Sequence, residues 1–188
     1  MCSQFSSNAD VDLTIRTATI EDVGALRELI ETSARELGKT DYTREQVEAA
    51  LQGAWGVDTQ LIHDETYFVV ESGGRLAACG GWSRRKTLFG SDAHASRESE
   101  LLIPGKDAAR IRAFFVHPDF ARRGMGRMLL ERCESEAKKE GFTRAELVAT
   151  LPGVRLYEAC GYERIEQREY PLVGEISIEF VTMRKARL

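Results

Sequence analysis

A strand, a glycine-containing turn and a helix follow one another in the middle of the chain, and this order constrains the fold most. Arg110–Val116 is rich in β-forming side chains, and a histidine–proline pair ends the run. Gly124–Glu140 carries apolar side chains at helical spacing, and a glycine follows it. Arg144–Val148 is predicted to be the next strand. A strand–helix–strand unit predicts an α/β fold, a mixed sheet with helices on both faces.

The flanking segments predict the rest of the same sheet. They alternate between β-rich runs with turn residues at their ends and amphipathic runs that begin at capping residues. The predicted strands are Leu13–Ala18, Thr66–Glu71, Arg75–Trp82, Tyr162–Tyr170 and Glu175–Met183, and the predicted helices start at Thr19, Thr43 and Pro152. The total is about seven strands, mostly antiparallel, and about four helices.

Length and charge limit the domain count and the class of partner. The 188 residues suffice for one domain, which we predict over 13–188 behind a flexible N-terminal tail, 1–12. The chain has 26 basic and 30 acidic residues, a net charge of −4. This balance argues against a nucleic-acid partner or an anionic membrane surface, which a basic face would serve.

Cysteine spacing and hydropathy predict the compartment. The four cysteines form no Cys-x-x-Cys pair and the three histidines are scattered, so we expect no metal site. The first residues lack the apolar run of a signal peptide, and no apolar stretch is long enough to span a bilayer. We therefore expect a cytoplasmic protein with free thiols and no membrane partner.

The turn between the central strand and helix is the segment best suited to bind a ligand. Exposed N–H groups at a helix N-terminus favour an anion, and glycine lets a phosphate approach the backbone closely. Three arginines add positive charge, which makes a diphosphate the expected guest. The residues concerned are Arg122, Arg123, Gly124, Met125, Gly126 and Arg127.

Two other interpretations of this turn remain open. The glycines would shape a tight turn with solvated arginines, or the turn would belong to a nucleotide-binding domain of another fold. A Gly-Lys-Ser/Thr sequence is absent, and so is the third glycine of a dinucleotide fingerprint. These absences argue against both familiar nucleotide-binding loops.

Two spaced motifs resemble the GCN5-related N-acetyltransferase (GNAT) superfamily. Val116-x-Pro118 followed by Arg123-Gly124-x-Gly126 resembles the acetyl-CoA motif of that family. Leu156-Tyr157-Glu158-x-x-Gly161-Tyr162 resembles its second signature, at the end of a short helix. Both occur in family order with a strand of suitable length between them.

The resemblance implies a GNAT-like fold with splayed central strands and acetyl-CoA as cosubstrate. The diphosphate of CoA would lie on the amides of the turn, and the pantetheine arm would pair with the backbone of Phe114, Phe115 and Val116. The strand Arg144–Val148 would diverge and leave the gap that admits the cofactor. Thr150 lies where some members have an asparagine, and its hydroxyl is a further candidate contact.

The resemblance also implies a catalytic residue. Tyr157 would donate a proton to the departing thiolate, since a phenol with a pKa near ~10 stays protonated at neutral pH; the alternative is a core aromatic. Glu146 is the first candidate for the general base because its strand faces the gap. Glu71, Glu98 and His117 are weaker candidates, as each is also suited to a surface position.

The function expected from these features is transfer of an acetyl group from acetyl-CoA to a primary amine, by direct attack in a ternary complex. The amine would belong to a small molecule, a protein N-terminus or a lysine. The alternative is a non-catalytic acyl-CoA-binding or sensor module of the same fold. A homodimer is expected if the apolar side chains of the last strand, Ile176, Ile178, Phe180 and Val181, lie at a sheet edge; burial inside the sheet is the alternative.

Overall fold

Seven strands form one sheet in the order β1-β2-β3-β4-β5-β7-β6. The computed structural model describes residues 13–93 and 100–188, so the expected tail and the candidate base Glu98 lie outside the described residues. All neighbouring strands are antiparallel except β4 and β5. The strands are β1 Leu13–Thr17, β2 Tyr67–Ser72, β3 Arg75–Ser83, β4 Ala109–Val116, β5 Ala145–Thr150, β6 Glu163–Pro171 and β7 Ser177–Lys185. The predicted α/β class with a mixed, mostly antiparallel sheet is confirmed.

Five α-helices lie within the described part of the chain. They are α1 Val23–Gly38, α2 Arg44–Leu51, α3 Thr59–His63, α4 Met125–Lys139 and α5 Val154–Ala159. Helix α3 was not predicted, because five residues are too few to show helical periodicity. The Asp58 side chain accepts from the Gln60 amide and so caps this short helix.

The two central strands diverge soon after they meet. Strands β4 and β5 pair in parallel over only three residue pairs, from Ala109↔Ala145 to Ile111↔Leu147. Beyond that point β4 remains paired with β3, while β5 pairs with β7 as far as Thr150. The predicted splay is confirmed, and it leaves a free strand edge on β4 that faces a gap.

A β-bulge interrupts β4 at this gap. Gly81 pairs with Arg112 and Cys79 pairs with Phe115, so Gly80 opposes two residues, Ala113 and Phe114. Ala113 has a φ of 56°, a left-handed conformation that costs a non-glycine residue about 1–2 kcal/mol. A Cβ at Gly80 would lie 2.7 Å from the Phe114 ring. The glycine in β3 therefore makes room for the bulge.

The last strand is buried inside the sheet. Strand β7 lies between β5 and β6. Its side chains Ile178, Phe180 and Val181 are at most 3% exposed, so they are core residues. The apolar edge expected for a dimer is therefore not available on the surface: β6 pairs with the outer edge of β7, and Ile178 and Phe180 pack in one cluster with side chains of α1 and α2.

Candidate active site

The turn before α4 presents unpaired backbone amides. Gly124, the residue that precedes α4, has a φ of 86°, and Arg122 has a φ of 65°. Within the described residues no acceptor is found for the N–H groups of residues 122–127. Converging amides in alternating left- and right-handed conformations bind anions, and the N-terminus of α4 adds its dipole. This geometry fits a diphosphate.

Two of the three arginines of the turn have contacts within the protein. The Arg123 guanidinium lies over the Phe120 ring, 5.6 Å from its centroid. Arg127 Nη2 lies 3.4 Å from the carbonyl oxygen of Ala159. The turn therefore offers unpaired backbone amides beside two guanidinium groups that already have contacts within the protein.

Gly126 serves helix packing. It is buried, and a Cβ at this position would lie 2.8 Å from Leu156 Cδ2. A Cβ at Gly124, in contrast, would meet no protein atom within 4 Å. Only Gly124 therefore combines the left-handed backbone with open space in front of the amides.

A cavity of about 70 Å³ occupies the gap between the splayed strands. Phe114 and Phe115 on β4, Thr150 on β5 and Tyr157 on α5 line it, whereas Val116 is not among its lining residues. Val116 instead pairs with Ala78 of β3. The structure thus brings together most of the predicted pantetheine-side residues.

Tyr157 lines the cavity with a buried phenol. Its ring makes edge contacts with Phe114 and Tyr162, at centroid distances of 6.2 and 5.8 Å. Burial raises the pKa of the phenol above its ordinary value, and no described group hydrogen-bonds to its hydroxyl. The phenol therefore stays protonated at neutral pH and is able to donate.

Comparison with known proteins identifies the family. The sequence profile of the acetyltransferase (GNAT) family matches residues 25–162. This chain belongs to the acetyltransferase (GNAT) family. No functionally curated protein sequence matches it closely enough to count as a relative.

Solved structures share the GNAT fold at low sequence identity. A GCN5-related N-acetyltransferase, aminotransferase class II, from Rhodopseudomonas palustris is 18% identical with a TM-score of 0.68, covering 96% of this chain and 99% of that one. The PaiA N-acetyltransferase of Thermoplasma acidophilum, solved with coenzyme A, is 16% identical with a TM-score of 0.64, covering 93% and 99%. The ribosomal-protein-S18-alanine N-acetyltransferase of Escherichia coli is 17% identical with a TM-score of 0.57, covering 94% and 96%.

Glu146 of this GNAT domain lies outside the gap. It pairs with Arg110 at the closed end of β4 and β5. Its two carboxylate oxygens bind Arg110 Nη1 and Arg184 Nη2, each at 2.8 Å. The expectation that Glu146 faces the gap was wrong in position, because the strands diverge only after this residue.

The two weaker base candidates that the structure describes, Glu71 and His117, also lie away from the cavity lining. Glu71 binds Arg16 at 2.7 Å, between β1 and β2. His117 Nδ1 accepts from the Asp119 amide at 3.2 Å and so caps the turn after β4. The cavity lining that the structure describes contains no carboxylate and no histidine.

Sequence analysis did not identify three further residues that line the cavity, Phe89, Phe180 and Arg112. Trp55 also lines it, but from the sequence alone this aromatic side chain cannot be distinguished from a core residue. The bulge at Ala113 was also missed. The pair Gly80-Gly81 in the middle of a strand was the available signal, since glycine there marks a bulge or a close approach.

No helix within residues 13–93 and 100–188 combines the length and the apolar character needed to cross a bilayer. Within the same ranges, no group of three or more histidine, cysteine, aspartate or glutamate side chains is arranged to hold a metal ion.

Proposed function

We propose that this protein transfers an acetyl group from acetyl-CoA to a primary amine by direct attack in a ternary complex. The observation that carries the proposal is a gap between β4 and β5 that is lined by a buried phenol, Tyr157, together with a turn after β4 whose amides have no acceptor among the described residues. Solved relatives of the same fold include structures with coenzyme A and with acetyl-CoA.

In this scheme different residues bind the cofactor and catalyse the transfer. The amides of residues 122–127 bind the diphosphate, and the free backbone edge of Phe114 and Phe115 pairs with the pantetheine arm. The neutral amine attacks the thioester carbon, and backbone N–H groups near the bulge stabilise the developing oxyanion. The C–S bond then breaks, Tyr157 protonates the leaving sulfur, and the extra proton on nitrogen passes to water, from which the Tyr157 phenolate regains a proton.

The cysteines support direct attack over an acyl-enzyme. Burial raises the pKa of the Cys79 thiol to about 12 and raises that of Cys133 as well. Neither lines the cavity. A thiol that is protonated and does not line the cavity is a poor nucleophile. Among the described residues the cysteines Cys79, Cys133 and Cys160 are all free thiols, which also supports a reducing cytosol as the compartment.

Release of the CoA thiol from acetyl-CoA in the presence of mixed primary amines tests the proposal, with mass spectrometry of the acetylated product. We expect amine-dependent thiol release. CoA binding without any acetyl transfer would overturn the enzyme assignment and support the alternative, a sensor module. The lack of a carboxylate or histidine in the described cavity lining favours that alternative.

A further inference from the structure

An aromatic wall forms part of the cavity lining, and we define it by Trp55, Phe89 and Phe180. Trp55 lies between α2 and α3, Phe89 follows β3, and Phe180 is on β7. The Phe180 ring centroid lies 6.4 Å from that of Trp55 and 5.7 Å from that of Phe89. Three separate segments therefore place their rings together beside the reacting centre.

Hydrogen bonds hold this wall in place. The Tyr42 hydroxyl donates to the Glu179 carbonyl and accepts from the Leu151 amide, each at 2.8 Å, which ties β7 to the end of β5. The Ser91 hydroxyl donates to the Gly53 carbonyl at 2.8 Å, which ties the segment of Phe89 to that of Trp55. The wall is thus built before any acceptor arrives.

The positive charge in the cavity lining is paired with a carboxylate of the protein. Arg112 is the one charged side chain among the described lining residues. Its guanidinium binds the fully buried Asp58 at 2.7 Å and donates to the Gly90 carbonyl at 2.9 Å. An acceptor with a carboxylate would compete with Asp58, and an acceptor with a second ammonium would find no described carboxylate in the lining.

We propose that the acceptor is a primary amine on an uncharged, apolar body, an arylalkylamine or an alkylamine; this inference rests on the proposed function. Aromatic faces provide apolar contact and attract the incoming ammonium before it loses its proton. A second charge on the acceptor is disfavoured because it would be desolvated without a partner. Amino acids, polyamines and lysine-rich peptides are therefore excluded as preferred acceptors.

Two matched pairs of amines test this class. 2-Phenylethylamine and phenylalanine differ by one carboxylate, and hexylamine and 1,6-diaminohexane differ by a second ammonium. We expect kcat/KM to be at least about tenfold higher for the singly charged member of each pair. Equal or better turnover of phenylalanine or the diamine would overturn the class while leaving the proposed function intact.

Binding measurements distinguish failure of the proposed acceptor class from failure of the proposed enzymatic function. Calorimetry of the same four amines with the CoA-bound protein reports the class even when no acetyl group is transferred. Selective binding of 2-phenylethylamine and hexylamine without turnover supports the class and overturns the enzyme assignment. Absence of both binding and turnover for these two amines overturns the class.

Phe89→Ala tests the wall itself. We expect the KM for 2-phenylethylamine to rise about tenfold while the KM for acetyl-CoA stays unchanged. Val173→Ala is the matched control because Val173 is 52% exposed and lies outside the cavity lining. A thermal melt shows that each variant is folded, and Phe89→Leu provides a second variant with most of the apolar volume retained. An unchanged KM for the amine in both Phe89 variants would contradict the wall's role.

A second, independent observation concerns the bulge of β4. The Tyr67 hydroxyl lies 3.3 Å from both the Ala113 carbonyl oxygen and Cys79 Sγ. Cys79 Sγ itself lies 3.9 Å from the same carbonyl. Burial raises the pKa of both groups, so both keep their protons. Two buried donors therefore converge on the carbonyl of the strained residue.

We infer that Tyr67 is a positioning residue that holds the bulge, and with it the backbone N–H groups proposed to face the thioester. Strained backbone persists only where its surroundings hold it in place, and here a fully buried phenol on β2 does so across β3. This inference also rests on the proposed function. Tyr67 contacts neither cosubstrate in this scheme and acts through Ala113.

Tyr67→Phe tests this role because it keeps the ring and removes only the hydroxyl. We expect kcat to fall about tenfold with little change in the KM for acetyl-CoA. Thr66→Val is the matched control, since Thr66 is the adjacent buried residue and its hydroxyl donates to the Leu61 carbonyl, at 3.4 Å, away from the bulge. Equal kcat losses in both variants would show a general stability effect and overturn the inference.

Hydrogen exchange gives a readout that needs no turnover. Amides of residues 112–116 should exchange faster in Tyr67→Phe than in Thr66→Val. Unchanged exchange in this segment would contradict the role of Tyr67 whether or not the protein is an enzyme. Faster exchange together with a wild-type kcat would show that the Tyr67 hydroxyl stabilises the bulge locally without affecting the rate, and this would overturn the positioning role.

Discussion

The hydroxyl of Tyr157 is the single group with the sharpest expected effect on rate. Tyr157→Phe keeps the ring contacts with Phe114 and Tyr162. Loss of a general acid lowers kcat and kcat/KM together by ~10²–10⁴. CoA affinity and melting temperature should barely change, because no described group hydrogen-bonds to this hydroxyl. Steady-state kinetics and calorimetry check this, and a folded variant with the wild-type rate would refute the acid role.

Substitutions of Gly124 and Gly126 are expected to lower different properties, the affinity for CoA at the first position and the stability of the fold at the second. Gly124→Val forces a β-branched residue to a φ of 86° beside the amides, so CoA affinity should fall at least about tenfold. Gly126→Val collides with Leu156 and should lower the free energy of unfolding by about 1–3 kcal/mol. Thermal melts and calorimetry with CoA measure both. If Gly124→Val bound CoA with wild-type affinity, the turn would not be the site that binds the CoA diphosphate.

At the scale of elements, the junction of β1 and α1 predicts a pH dependence. Arg16 binds Asp22 at 2.8 Å and Glu71 of β2 at 2.7 Å. The hydrogen bond from Arg16 lowers the pKa of Asp22 from 3.8 to about 2. A lowered pKa in the folded state contributes stability above pH 3.8, and that contribution is lost as pH falls through about 2.

Asp22→Asn is the variant that isolates this contribution. The difference in unfolding free energy between wild type and variant should be largest above about pH 4 and shrink as pH approaches 2. Glu21→Gln serves as the control, since Glu21 is the adjacent exposed acid. Denaturant melts at several pH values measure the difference. A difference that does not vary with pH would contradict the ion-pair argument.

At the scale of the whole molecule, binding of CoA should stabilise the fold. A ligand bound only by the folded state at 100 times its dissociation constant adds about 2.7 kcal/mol. For a domain of this length that corresponds to a rise in melting temperature of about 5–10 °C. Differential scanning calorimetry with CoA measures the shift, with ATP as the comparison ligand. An equal shift with ATP would support a general nucleotide site instead.

The local elements and the turn were predictable from the sequence because their causes are close in the chain. The capping box of Thr43 and Gln46 forms as its spacing predicts. The glycine turn before α4 and the placement of Tyr157 on a short helix follow from residues a few positions apart. The family resemblance then supplied the expected splay, which the sheet confirms.

Only the tertiary structure determined which side chains surround the cavity. The position of Glu146 depends on Arg184, 38 residues away, and the bulge at Ala113 depends on Gly80 of the neighbouring strand. Ile178 and Phe180 of β7 are buried because they pack in one cluster with side chains of α1 and α2, and β6 rather than solvent lies at the outer edge of β7. Burial and charge pairing depend on which strands and helices become neighbours, and the residue pattern of a single strand does not identify those neighbours.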